Sequence, residues 1–278
     1  MIIVNDLNYA YDRDVPILQG VQLRFEPGKI YGLLGRNGMG KSTLLKLIGG
    51  YLFPISGRIR LNDQVPHHRC PQLLQRIFFL SEEFDLPSLT IAQYLTIYSP
   101  FYDDFDEDRF HTILREFDIA PRSKVNKLSY GQKKKFLIAF GLASMATYLI
   151  LDEPTNGLDI PSKGDFRKII AKYMSADQVV IISTHQIKDL ENLLDAITII
   201  DEGKILLSES LMAIEDKIYF TTDTTLPNDT STLHHERIPG GYLILSQNID
   251  GMTSQIEIEA FFNAVIRNKS YFSQLFNS

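Results

Sequence analysis

The chain has 278 residues, 44% hydrophobic and 22% charged, a globular composition that excludes a disordered or fibrous chain and suits one large domain with or without a small appendage. Its formal net charge of −6 argues against a nucleic-acid surface. Cys70 is the single cysteine, which rules out an intrachain disulfide and suits the cytosol, and neither a leader-like start nor an apolar run of ~20 residues is present, so no segment is expected to cross a membrane.

Strands are expected at Ile2 to Leu7 and Val21 to Phe25, with Pro27-Gly28 as the turn into a buried strand, Ile30 to Leu34. The following stretch, Gly35-Arg36-Asn37-Gly38-Met39-Gly40-Lys41-Ser42, matches G-x-x-x-x-G-K-[ST] and runs into the helical Thr43 to Ile48. Strand, glycine turn and helix in that order form the context of a phosphate-binding loop. Gly35, Gly38 and Gly40 leave backbone N–H groups free to face a phosphate, and the helix N-terminus adds partial positive charge. Lys41 is placed for the β- and γ-phosphates, and Ser42 offers a hydroxyl to Mg²⁺.

Phe53-Pro54 stops the helix; Gly57 to Leu61 alternates as a half-exposed strand before an Asn62-Asp63 turn, and Ile77 to Leu80 reads as a further buried strand. From Leu89 to Ser144 the periodicity becomes helical. Thr90 is a candidate cap for a helix with Ile91, Tyr94, Leu95 and Tyr98, Asp106 for one with Phe110, Ile113, Leu114 and Phe117, and Ser129 for a third reaching Leu142. The aromatics Phe84, Tyr94, Tyr98, Phe101 and Tyr102 are either a docking surface or the core of this insertion. Lys133-Lys134-Lys135 reads as a solvated helix face.

Uninterrupted apolar strands return at Tyr148 to Leu151, Val179 to Ser183 and Ala196 to Ile200, the pattern of a parallel sheet covered on both faces. Helical segments near Ser162 to Met174 and Ile187 to Leu193 separate them, and Gly203 to Leu207 is a last short strand. Asp152 and Glu153 end the first of these strands: Asp152 is placed to hold Mg²⁺ through water, and Glu153 to accept a proton from an attacking water. Beyond Ser208, Thr221 to Thr225 and Pro227 to Thr232 are polar and turn-rich, Tyr242 to Leu245 is a strand, and Ile256 to Ile266 is a helix, together a small α+β appendage.

Leu128-Ser129-Tyr130-Gly131-Gln132 precedes the third helix of the insertion. Alone it is a helix cap. With the two nucleotide motifs in this order it resembles the signature of the ABC ATPase family, and Asn156-Gly157-Leu158-Asp159 and His185 follow in register; His185 alone would read as a structural histidine. The resemblance covers about residues 1–207. It implies an α/β P-loop NTPase core (1–207) with a mostly parallel sheet, a helical signature subdomain at about 86–145, and an accessory region at 208–278.

By the same resemblance, Tyr11 stacks on adenine, with Tyr9 as its rival for a core position, while Asn37, Thr43 and Gln132 also bind nucleotide. Ser129 and Gly131 would close on ATP held by a second subunit, a copy or a paralogue, in a head-to-tail dimer. Asp159 would couple the two sites, and His185 would contact the γ-phosphate alongside Lys41 and Glu153. The implied activity is Mg²⁺-dependent ATP hydrolysis on the cytoplasmic face of a membrane, driving a separately encoded permease. The acidic-then-aromatic Ile256 to Phe262 resembles the end of drug- or antibiotic-export ATPases. A soluble ABC ATPase in a role such as cofactor assembly is the alternative. Tyr130 stands where the signature commonly has its first glycine, and Glu82 where a Mg²⁺-binding glutamine is usual; a carboxylate there remains a hard oxygen ligand.

Overall fold

The computed structural model describes residues 1–12, 15–226 and 232–277. Strands β1 (Ile2–Asp12) and β2 (Val15–Phe25) pair antiparallel and feed β3 (Lys29–Leu34), the loop, and helix α1 (Lys41–Ile48). β4 (Ser56–Leu61) then returns to the other side of β1, a short helix α2 (Pro71–Leu74) leads into β5 (Ile77–Leu80), and the insertion follows as α3 (Ile91–Tyr98), α4 (Glu107–Glu116) and α5 (Tyr130–Ala143). All three helices start where the sequence places their caps: Thr90, Asp106 and Ser129 each accept the N3 backbone N–H, a contact worth about 1 kcal/mol apiece.

The core continues with β6 (Tyr148–Asp152), α6 (Ile160–Tyr173), β7 (Val179–Thr184), β8 (Ala196–Asp201) and β9 (Lys204–Ser210). Among the described residues these build a six-stranded sheet in the order β5-β6-β7-β3-β8-β9, parallel except for β9 against β8. The strands are apolar throughout because both faces are covered, and their period of two divides them between two cores. Tyr148, Ile150, Val179 and Ile181 pack with α1 and the antiparallel sheet. Leu149, Leu151, Val180 and Ile182 pack with the inserted helices. The parallel strands bring the carboxyl ends of β3, β6 and β7 to one edge, where α/β sheets bind ligands.

The region 208–278 keeps its expected α+β outline, with the strand at Tyr242 to Leu245 and the helix at Ile256 to Ile266 both present, and adds elements to it. Helix α7 (Leu211–Lys217) and strand β10 (Ile218–Asp223) precede β11 (Thr232–Ile238), β12 (Gly241–Gln247), α8 (Ile258–Arg267) and α9 (Lys269–Asn277). Thr221 and Thr222, read as turn, lie in β10, because Ile218 and Phe220 bury one face of the strand and its pairing with β12 runs on through both threonines. The turn expected over 227–231 lies outside the described residues. β9 continues past Leu207 to Ser210, and the helix expected at Ile187 to Leu193 is a single 3-10 turn, Ile187–Leu190. That turn packs beneath α8, and Lys188 pairs with Glu259 at 3.1 Å.

The aromatics of the insertion are mostly its core. Tyr94 is buried, Tyr98 stacks on it at 4.2 Å, Phe84 and Tyr102 pack against the same cluster, and only Phe101 of the five is largely exposed. Among the described residues no helix is long and apolar enough to cross a membrane.

Candidate functional site: a phosphate-loop cavity and a separate signature cap

Gly40 caps α1 in the left-handed conformation (φ 100°), where an added Cβ would also stand 2.9 Å from the Leu18 side chain. Only glycine suits that backbone without strain, and it turns the loop tightly over the helix N-terminus. Lys41, nearly buried, extends its ammonium back along the loop, donating to the carbonyl oxygens of Gly35 (2.7 Å) and Arg36 (3.3 Å). It lies 3.7 Å from the Glu153 carboxylate. Burial lowers its pKa, an effect opposed by Glu153, Asp152 and Glu82.

Glu153 is buried at the end of β6 and adopts φ 46°. A non-glycine residue there costs on the order of 1–3 kcal/mol and persists only when its surroundings over-determine it. Here its amide donates to Ser183 Oγ at 3.0 Å, and that hydroxyl donates to Asp152 Oδ1 at 2.5 Å. The Glu153 carboxylate then meets His185 Nδ1 at 2.9 Å. Register explains the meeting: Asp152 lies opposite Ser183, and Thr184 opposite Leu34, so three strand ends converge.

Lys41, Glu153 and His185 share a cavity of about 510 Å³ that is also lined by Tyr11, Asn37, Gly38, Gly40, Ser42, Thr43 and Glu82. Tyr11 is exposed and its hydroxyl is 3.3 Å from Thr43 Oγ1, whereas Tyr9 is in the core with its ring edge-on to Tyr11. The structure therefore places Tyr11, not Tyr9, at the cavity. Gly35 lies behind it, in a neighbouring hollow with Arg36, His185 and Phe262 of α8. Asp152 does not line the cavity; it lies beneath Glu153, tied to Ser183.

The cavity fits a triphosphate: a buried ammonium, glycine backbone at a helix N-terminus, and two hydroxyls face one space. It also fits Mg²⁺, which binds few protein groups and keeps waters and phosphate oxygens. The Ser42 hydroxyl and the Glu82 carboxylate are among the hard oxygen donors that line it, beside Thr43 and Glu153, and among the described residues no group of three His, Cys, Asp or Glu forms an all-protein metal cage.

Ser129, Gly131, Gln132 and Asp159 lie outside this cavity. Ser129 and Gln132 form a reciprocal capping box: the Gln132 amide donates to Ser129 Oγ at 3.2 Å and the Ser129 amide to Gln132 Oε1 at 3.0 Å. Ser129 Oγ spends a lone pair on that cap, which leaves its O–H free to donate outward. Asp159 caps α6 through the Ser162 amide at 3.0 Å, and this hydrogen bonding to Ser162 lowers its pKa.

Several contacts escape a linear reading. Lys134 is fully buried, contrary to a solvated Lys133-Lys134-Lys135 face, because it lies three and four residues before Leu137 and Ile138 and so shares their inward side. Its ammonium donates to the Glu153 carbonyl at 2.5 Å, and burial draws its pKa down to about 8. Lys133 and Lys135 are half-buried. Asn156 lines the cavity and donates to Glu82 Oε1 at 3.1 Å. Gly157 makes room for the Tyr130 ring, whose atoms would stand 2.8 Å from an added Cβ.

A family profile described as "ABC transporter" matches residues 18–156. The chain is 32% identical over 212 residues to the lantibiotic transport ATP-binding protein SrtF of Streptococcus pyogenes, covering 75% of this chain and 90% of that protein. It is 31% identical to the cobalt import ATP-binding protein CbiO of Salmonella paratyphi A, covering 74% and 80%. Among solved structures, an "ATP binding subunit of ABC transporter" superposes with a TM-score of 0.70 at 25% identity, covering 77% of this chain and 92% of that one.

Proposed function

The chain belongs to the ABC transporter family, as one of its ATP-binding proteins, and we propose that it hydrolyses ATP between two such subunits to drive a separately encoded membrane permease. One observation carries this reading: Lys41, Glu153 and His185 converge in a single cavity while the signature cap, Ser129 to Gln132, stands apart from it. A nucleotide held by the loop leaves its outer face for groups from elsewhere, and Ser129 and Gly131 of a second subunit are of the right chemistry to cover it. Such a head-to-tail pairing uses each surface twice, which suits a two-fold dimer.

In this reading the Lys41 ammonium neutralises the β- and γ-phosphates, Tyr11 offers its ring to adenine, and Gly35, Asn37, Gly38, Gly40 and Thr43 shape the loop around the phosphates. Glu153 takes the proton of the attacking water, and His185, hydrogen-bonded to that carboxylate, holds it in place beside the γ-phosphate. Mg²⁺, held by Ser42 and Glu82 with Asp152 behind through water, would offset charge on the phosphate oxygens. Asp159, at the start of α6, links one site to its twin. Two bridging ATP molecules favour the closed dimer by mass action, and hydrolysis removes the bridge.

We assign residues 1–207 to the nucleotide-binding domain, with the helical subdomain at about 86–145, and 208–278 to an accessory region. The partner places the protein at the cytoplasmic face of a membrane. Export is favoured by the acidic-then-aromatic start of α8 and by the lantibiotic relative, against which stands the cobalt import relative of similar identity. Purification from detergent-solubilised membranes tests the assignment: recovery with a polytopic membrane protein supports it, and recovery with soluble partners alone supports the cofactor-assembly alternative.

A further inference from the structure

Glu153 has its backbone fixed from two sides. On one, its amide donates to Ser183 Oγ at 3.0 Å, so β7 holds it within the sheet. On the other, its carbonyl accepts from the Lys134 ammonium at 2.5 Å, with the Asn156 amide a longer second donor at 3.3 Å. Lys134 is 0% exposed and comes from neither strand. It belongs to α5, the helix that Ser129 caps. The Tyr130 ring lies over the ammonium, 5.3 Å from ring centroid to Nζ, and Tyr130 in turn rests on Gly157. A buried cation survives only with partners, and this one is aimed at a single carbonyl in the cavity wall.

We propose that Lys134 is a positioning residue for ATP hydrolysis, holding the left-handed Glu153 backbone so that its carboxylate faces Lys41 and His185. The same contact links the two halves of the site within one chain. Ser129 at the start of α5 meets the opposite nucleotide in the proposed dimer, and Lys134, one turn later, meets the base of its own site. A movement of α5 on closure therefore reaches Glu153 through one buried hydrogen bond. Glu153 at φ 46° responds to that bond because its backbone does not rest in a broad minimum. The inference rests on the reading of Glu153 as the general base.

The test compares Lys134→Met, which keeps length but has no donor, with Lys134→Arg and with Glu153→Gln in the purified full chain. ATP affinity and steady-state hydrolysis are measured on the same preparations. Lys134→Met is expected to bind ATP within about threefold of the native protein while kcat falls by ~10- to 100-fold, the scale on which a misplaced catalytic group is felt. Lys134→Arg recovers part of that loss. A lysine that only filled the core would instead lower thermal stability, affinity and kcat together, without recovery by arginine, and that pattern overturns the proposal. Native kcat in Lys134→Met beside an inactive Glu153→Gln also overturns it, while the base assignment stands. Full turnover in Glu153→Gln removes the base assignment and the positioning role with it. If Lys134→Met does not fold, Lys134→Gln, a shorter neutral donor, decides the matter: retained affinity with reduced kcat supports the role, and native kcat refutes it.

Discussion

The Tyr130 hydroxyl donates to the backbone carbonyl of Glu82 at 2.9 Å, so the residue in place of the signature's usual first glycine is bonded to the residue in place of the usual glutamine after β5. Tyr130 also stacks on Phe84, 5.5 Å between ring centroids at 12°, and rests on Gly157. The tyrosine thus ties the start of α5 to the loop that carries Glu82.

Replacing Tyr130 by phenylalanine keeps the stacking and removes the hydrogen bond. The bond is partly exposed, so the loss belongs at the lower end of the range for a neutral hydrogen bond, about 0.5 kcal/mol. Tyr130→Ala also loses the ring and frees the Glu82 loop, with a larger fall in stability. Denaturant unfolding of both variants checks the order; equal losses would show that the ring contributes nothing beyond its hydroxyl.

Glu82→Gln keeps an acceptor for Asn156 Nδ2, which now sits 3.1 Å from Oε1, but removes the carboxylate charge from the cavity. If that carboxylate holds Mg²⁺, half-maximal ATP hydrolysis requires several-fold more Mg²⁺ in the variant, since hard cations favour charged oxygen ligands. A titration of activity against Mg²⁺ that overlays the native curve removes Glu82 from the metal.

Burial raises the Tyr94 phenol from 10.0 to about 12, with Tyr98 adding to the effect. Below pH 10 the phenol is neutral in both folded and unfolded chains, so it makes no difference to stability there. Between pH 10 and 12 the unfolded chain loses the proton first, and stability falls by about 1.4 kcal/mol per pH unit, or ~2.7 kcal/mol across the window. Urea unfolding of Tyr94→Phe at pH 8 and pH 11 should show a shallower alkaline loss than the native chain; parallel losses would contradict it.

Local signals carried most of the nucleotide-binding core. The glycine loop, the strand ending in Asp152 and Glu153, and the caps Thr90, Asp106 and Ser129 each declare themselves within a few residues, and each stands where its pattern places it. What the chain order hides is contact across it. Lys134 reads as one of three solvated lysines until its i+3 and i+4 partners are counted, and its bond to Glu153 spans 19 positions. The pairing of Tyr130 with Glu82 spans 48. The appendage was legible in outline only, because strands such as Ile218–Asp223 mix a few buried apolar residues with threonines that equally suit turns.

The central claim is that the loop and its Glu153 carboxylate are one side of a clamp closed by a second copy or a paralogue, and Glu153→Gln tests it most directly. Its glutamine keeps the size of the side chain and the Lys41 and His185 surroundings but accepts no proton from water. The molar mass of this variant, measured by light scattering with ATP and Mg²⁺ and again without nucleotide, gives the answer. With a second copy as the other half of the clamp, the account predicts a monomer that becomes a stable dimer only with ATP, and with a paralogue the same ATP-dependent dimer once that chain is added, hydrolysis being reduced by ~10²-fold or more in either case. A variant that binds ATP, stays monomeric and hydrolyses at the native rate would contradict it.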